Sequence, residues 1–194
     1  VYGDQKFYPI SENTKLKEKN FYGFSKKMNE VIAKSFSKIY GIKVIGLRFF
    51  TVFGEWGRPD MLIFKYLKNN IEKKIFYLNE GGNHFRDFTY INDVVKILAK
   101  LKNYNFKKNY TVLNICSNNP VKIISVIKKI NKINSKFKYT PKSSKILKRI
   151  EVKITHGSNK QVKRIIKNFK FTNFDIALSR TLNWYIKNKI NEIS

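Results

Sequence analysis

Apolar side chains at Phe24, Met28, Val31, Ile32, Phe36 and Ile39, with small Ser35 among them, recur at spacings of three and four. That is the period of a helix with one apolar face, here over residues 21–40. Gly41 is well suited to end it. The pattern then changes to KVIGLRFFTVFG, residues 43–54, which reads as one strand apolar on both faces, as in a parallel sheet. A helix leading directly into such a strand is half of a βαβ alternation.

The alternation continues. EWGRPD is a Gly/Pro loop, followed by a helix from about Met61 to Asn70. KKIFYL reads as a short strand, EGGN as a turn and FRDFTYI as a strand. NDVVKILAKLK is a helix that Asn92 or Asp93 can cap. TVLNICS is a further strand. NNP is a turn before a helix with the stripe Val121, Ile124, Ile127 and Ile130. The last part is mixed and ends in a helix through LSRTLNWYIKNK. At the other end, VYG reads as a strand end followed by a polar loop.

Composition narrows this α/β picture. The chain has 194 residues, enough for one domain or two small lobes sharing a core, and 42% hydrophobic residues, enough to build that core. No apolar run reaches membrane-spanning length. The single cysteine, Cys116, lies in the apolar run TVLNICSN and reads as a buried thiol. His84 and His156 have no neighbours at metal-ligand spacing, so no metal is expected. The net charge of +27 invites a non-enzymatic polyanion- or nucleic-acid-binding module. Yet Lys is spread from Lys6 to Lys189, and even the densest stretch, KFKYTPKSSKILKR at 136–149, stands little above that background. The charge fits a compositional bias filling solvated faces, and no specific nucleic-acid partner is expected.

Tyr22 and Lys26 bring in chemistry. Four residues apart on a helix, they share a face. A cation beside a phenol favours proton transfer by that phenol near neutral pH. The spacing alone says little, because Tyr2 with Lys6, Tyr104 with Lys108 and Tyr185 with Lys189 repeat it. Only the Tyr22 pair has a serine, Ser25, just before the lysine and opens an amphipathic helix leading into an apolar strand.

In that context VYG (1–3), FYGFSKKMNE (21–30), GLRFFTVFG (46–54), FRDFTYINDVV (85–95), LNICSNNPV (113–121) and NWY (183–185) occur in order. Together they resemble the extended short-chain dehydrogenase/reductase family, specifically its NAD-dependent sugar-nucleotide epimerases and dehydratases. The resemblance spans nearly the whole chain and is loosest after about Asn131. It implies the C-terminal part of a Rossmann-type parallel sheet plus a small α+β substrate-binding lobe. Residues 1–54 and about 88–118 would form the former, and about 55–87 and 119–194 the latter. Tyr22 would be the catalytic acid/base. Lys26 would tune it and hold the nicotinamide ribose, and Phe49 would offer its backbone carbonyl to the nicotinamide. Arg86 would grip the substrate pyrophosphate; paired with Asp87 or Asp93, it would instead be structural. Arg149, beside Ile150-Glu151-Val152 where the family has Gly-Asp-Val, is a second pyrophosphate candidate. Gly157-Ser158 stands where the family has Ala-Asp.

Within the family the likeness is closest to the UDP-glucuronate 4-epimerases, because Thr51 stands where many relatives carry Asn and Trp56-Gly57-Arg58-Pro59-Asp60-Met61 follows. A uronate needs a cation and a hydroxyl near its carboxylate, and Arg58 and Thr51 offer them. The competing reading holds Arg58 as a loop residue tied to Asp60. NAD is the implied cofactor, a UDP-sugar the substrate, a homodimer through residues 21–40 the assembly and the cytoplasm the location. Another sugar-nucleotide epimerase or a 4,6-dehydratase is the nearer rival. No glycine-rich turn for a dinucleotide is present. The sequence is therefore read as N-terminally truncated, and the chain alone is expected to be aggregation-prone, inactive and without useful NAD affinity.

Overall fold

A computed structural model of the chain describes residues 1–135, 137, 140–144 and 151–188. Helix α1 (Phe21–Tyr40) begins where the Asn20 side chain accepts from the Gly23 N–H at 2.8 Å, and ends at Gly41, whose φ of 66° suits glycine. The expected apolar stripe is present but is not packed away. Within α1 only Gly23 and Ser37 are buried, while Phe24, Met28, Val31, Ile32, Phe36 and Ile39 are all at least 43% exposed.

The apolar run 43–54 forms two strands, β1 (Val44–Phe49) and β2 (Thr51–Phe53), where the pattern suggested one. The break is at Phe50. Its N–H still donates to Ile115 O, but its carbonyl accepts from Val52 N at 2.9 Å, a three-residue turn that re-aims the chain. Consequently β1 runs parallel to β5 (Tyr110–Ile115), and β2 runs parallel to β4 (Phe85–Tyr90) with Thr51 opposite Phe88. Neither face of β1 is fully buried.

Other boundaries move for local reasons. After α2 (Leu62–Ile71), Lys73 and Lys74 still donate to Asn70 O and Asn69 O and so finish that helix; the next strand, β3, is only Tyr77–Asn79. A single 3₁₀ turn, Glu80–Gly82, leads toward β4. Helix α3 (Ile91–Lys102) is capped by neither Asn92 nor Asp93. Tyr90 takes the cap position, and Asp93 turns inward to Thr172. Val121, expected on a helix, lies in β6 (Pro120–Lys122), which pairs antiparallel with β4. Helix α4 (Ile123–Ile133) then starts where Ile123 N donates to His84 O. Strand β7 (Lys142–Ser144) runs parallel to β3, and α5 (Lys160–Ile165) follows. Helix α6 (Phe174–Lys187) starts before the LSRTLNWY segment because Asn173 accepts from Asp175 N at 2.9 Å. Val1–Gly3 forms no strand; its backbone bond is Val1 O accepting from Lys17 N at 3.2 Å.

Two apolar clusters carry the fold. One gathers Val94, Ile97 and Leu101 of α3 with Leu113 and Ile115 of β5, and Val162 of α5 closes it. The other joins Phe53, Phe64, Phe88, Ile127 and Leu178 from β2, α2, β4, α4 and α6. Each fully buried Leu or Ile contributes roughly 1.5–3 kcal/mol. β2 and β4 meet the second cluster, and this fixes Thr51 and Arg86 on neighbouring strands. Cys116 is buried, and burial pushes its thiol pKa up, with the Asp87 charge adding to the effect.

Candidate active site

Tyr22 stands in the first turn of α1 and is 67% exposed. Ser25 donates its hydroxyl to the Tyr22 carbonyl at 2.8 Å, within the same turn. The Lys26 ammonium lies 5.3 Å from the centroid of the Tyr22 ring, so the two predicted partners do share a face, with the cation over the ring. The helix that carries them is locked to β1 by Arg48, whose guanidinium makes two 2.8 Å bonds to the carboxylate of Glu30 and a 2.7 Å bond to the Tyr2 hydroxyl. Glu30 and Arg48 were missed as a pair, although each lies inside a quoted motif. Phe49, at the end of β1, is half exposed.

The GEWGRPD loop brings Arg58 into play. Arg58 donates through Nε and Nη2 to the two Asp60 oxygens at 3.0 and 2.7 Å, so the competing reading of a loop arginine tied to Asp60 describes its partner here. Asp60, through its hydrogen bond and its charge, raises the guanidinium pKa, and Tyr22 raises it further. Trp56, at φ 58° and 78% exposed, leans on Trp184 with ring centroids 4.9 Å apart. The Tyr185 hydroxyl faces the carbonyls of Gly54 and Gly57 at 3.4 Å, which gives the NWY segment its work of holding the loop.

A cavity of about 480 Å³ opens beside this loop and is lined by Thr51, Asp60, Asn79, His84, Arg86 and Glu151 among others. It brings together two predicted residues, Thr51 and Arg86. Tyr22, Lys26, Phe49 and Arg58 are not in its wall, although Arg58 is tied to it through Asp60. Arg86 pairs with neither Asp87 nor Asp93. Its Nη2 donates to Glu151 at 2.9 Å, and its Nη1 to the Phe85 and Lys153 carbonyls. Burial lowers the Arg86 pKa and Glu151 opposes that fall. Glu151 also accepts from Asn79 Nδ2 at 2.6 Å, and Asn79 accepts from Ser144. Glu151 was aligned with the family's acidic position, but nothing local announced Arg86 as its partner. Arg149 lies outside the described residues.

Gly157 has a packing reason for lacking a side chain. A Cβ there would fall 2.5 Å from the Phe50 ring and 2.6 Å from the Cys116 sulfur. Its N–H donates to the buried Asp87, and the following Ser158 donates its N–H to Ile10 O. Among the described residues no cluster of His, Cys, Asp and Glu could hold a metal, and no helix is long and apolar enough to cross a membrane.

Comparison with known proteins decides the family. The model of the NAD dependent epimerase/dehydratase family matches residues 1–116. The chain belongs to that family. An uncharacterised protein of Methanocaldococcus jannaschii, MJ1055, is 36% identical over 193 residues, covering 97% of this chain and 57% of its own length. UDP-glucuronate 4-epimerase 2 of Arabidopsis thaliana is 31% identical over 204 residues, 96% of this chain and 46% of that protein. The chain therefore spans about half the length of these relatives. Among solved structures, MoeE5 in complex with UDP-glucuronic acid and NAD superposes with a TM-score of 0.86 at 26% identity, over 97% of this chain and 62% of that one.

Membership of an NAD dependent family implies a dinucleotide site. Exposed Tyr22 and Lys26, and Phe49 at the end of a parallel strand, suit the nicotinamide end, since ligands of such sheets gather beyond the strands' carboxyl ends. Among the described residues no glycine-rich turn joins a strand to a helix N-terminus, the usual cradle for the pyrophosphate.

Proposed function

We propose that this chain supplies the proton-transfer helix and the sugar pocket of a UDP-sugar 4-epimerase that interconverts UDP-glucuronate and UDP-galacturonate. The observation that carries the reading is that Asp60, which holds the Arg58 guanidinium, lines the same cavity as Thr51 and Arg86. In a uronate the carboxylate hangs on the carbon next to the 4-hydroxyl. A group that moves the 4-hydroxyl proton and a cation that reads the carboxylate must therefore be neighbours. The similarity to a UDP-glucuronate 4-epimerase and to a protein solved with UDP-glucuronic acid and NAD supports the same choice.

In this reading Tyr22 takes the proton from the sugar's 4-hydroxyl and later returns it, while Lys26 places positive charge beside that exchange and donates to ribose hydroxyls. Bound NAD supplies the hydride acceptor that makes the 4-keto sugar and the donor that reduces its other face. Phe49 offers its carbonyl to the nicotinamide, Arg86 holds the pyrophosphate, and Thr51 and Arg58 read the carboxylate. The exposed apolar face of α1, Phe24 to Ile39, is the surface on which two copies would meet as a homodimer.

The test uses the complete protein that carries this chain. Tyr22→Phe should abolish turnover of UDP-glucuronate while leaving its binding measurable. Arg58→Ala should lose the preference for UDP-glucuronate over UDP-glucose. Turnover retained in Tyr22→Phe overturns the catalytic assignment, and a preference retained in Arg58→Ala overturns the choice of a uronate.

A further inference from the structure

Arg58's two fork donors are already occupied. Nε and Nη2, one of the guanidinium's two bidentate edges, both bond Asp60 at 3.0 and 2.7 Å, and Nη2, which the second edge also needs, further meets Met61 Sδ at 4.0 Å. Asp60 also lines the cavity that contains Thr51 and Arg86. Both partners face solvent, with 70% and 67% of their side chains exposed. An ion pair of that kind is screened and easily exchanged.

We infer that Asp60 sets which anions Arg58 accepts: it is an internal carboxylate that holds Arg58's fork until the carboxylate of a bound UDP-sugar displaces it. The inference rests on the uronate reading above and goes beyond it. A uronate brings an equivalent anion and can take Asp60's place bond for bond. A neutral sugar brings a hydroxyl, which cannot replace two charge-assisted bonds, so Arg58 stays on Asp60. The internal ligand therefore lowers uronate affinity by whatever the exchange costs. It also keeps small free anions off a guanidinium that would otherwise stand open. Pro59 between the two residues fixes one backbone angle of the three-residue bracket, which favours the closed pair before substrate arrives.

The experiment measures dissociation constants for UDP-glucuronate and UDP-glucose by calorimetry on the complete protein carrying Asp60→Asn, Arg58→Ala or both. Asp60→Asn keeps the size of the side chain and removes its charge. The ratio of the constants, UDP-glucuronate over UDP-glucose, should fall by about three-fold, the scale of an exposed ion pair. Acetate should compete with UDP-glucuronate at lower concentration than in the unmodified protein. With Arg58→Ala already present, Asp60→Asn should change neither quantity. A ratio that stays constant or rises in Asp60→Asn, while Arg58→Ala still loses the uronate preference, overturns this inference and leaves the substrate reading standing. A ratio that falls equally with Arg58 absent assigns the effect to general repulsion by Asp60 and also overturns it. If Arg58→Ala keeps the preference, the substrate reading fails and the inference falls with it.

Discussion

Arg86 donates to Glu151 at 2.9 Å across 65 positions of sequence, and Glu151 in turn is held by Asn79 at 2.6 Å. The guanidinium is therefore fixed in the cavity wall before any ligand arrives, so little of its binding energy is spent on ordering it. Arg86→Ala should weaken UDP-sugar binding by about ten-fold or more, the scale of lost charge-assisted bonds. Arg86→Lys should recover only part of this, because it restores the charge and not the fork. Titration calorimetry with UDP checks both variants, and a lysine variant that binds like the wild type removes the geometric role.

Gly157 is the second point at which sequence and packing meet. Its place against Phe50 and Cys116 leaves no room for a methyl group. The Phe50 ring and the Cys116 sulfur must shift to admit it, and Cys116 is fully buried. Gly157→Ala should therefore cost about 1–3 kcal/mol by overpacking. The measurement is the denaturant midpoint at unchanged slope. A double variant with Phe50→Leu should recover part of the loss.

Much of this architecture is legible locally. The period-3.6 stripe of α1 and the apolar runs of β1 and β5 depend only on neighbours in sequence, and the elements stand near their expected bounds. Burial is a different matter. Phe24 to Ile39 have the right period, yet what lies against a face is not written in that face. The split at Phe50 comes from a turn bond and from two different partner strands, β5 and β4, which a one-dimensional pattern cannot separate. Val121 shows the same limit, because its strand exists only through pairing with Arg86. Of the residues that motif context singles out, Thr51 and Arg86 line one cavity. Asn79, the pairing of Arg86 with Glu151 and the Arg48–Glu30 lock became visible only in three dimensions.

Asp93 illustrates how a residue expected at a helix cap can hold tertiary structure. It is 2% exposed and accepts from Thr172 N at 2.7 Å and Thr172 Oγ1 at 2.8 Å. The bond ties the start of α3 to the segment leading into α6. Asp93→Ala would leave two donors without their acceptor, for a loss of about 2–4 kcal/mol. Thr172→Val removes only the hydroxyl donor and should cost less, about 1 kcal/mol. Thermal melts of both variants order the two effects; equal losses would show that the backbone bond contributes nothing.

Asp87 gives the fold a pH dependence of definite sign. It is fully buried, its carboxylate accepting from Ser117 Oγ at 2.7 Å, Asn118 N at 3.2 Å and Gly157 N at 3.0 Å. Burial raises its pKa above 3.8, and the hydrogen bonds only partly offset this. The folded protein thus binds this proton more tightly than the unfolded chain. The contribution is fully present below pH 3.8 and is lost as pH rises through the folded value. Asp87→Asn abolishes the titration while keeping an acceptor toward Ser117 or Gly157. The difference in unfolding free energy between wild type and Asp87→Asn, followed by urea denaturation upward from pH 3.5, should shift against the wild type across that window and then level off. A difference that is flat with pH, or that shifts in the wild type's favour, would show that the hydrogen bonds outweigh burial.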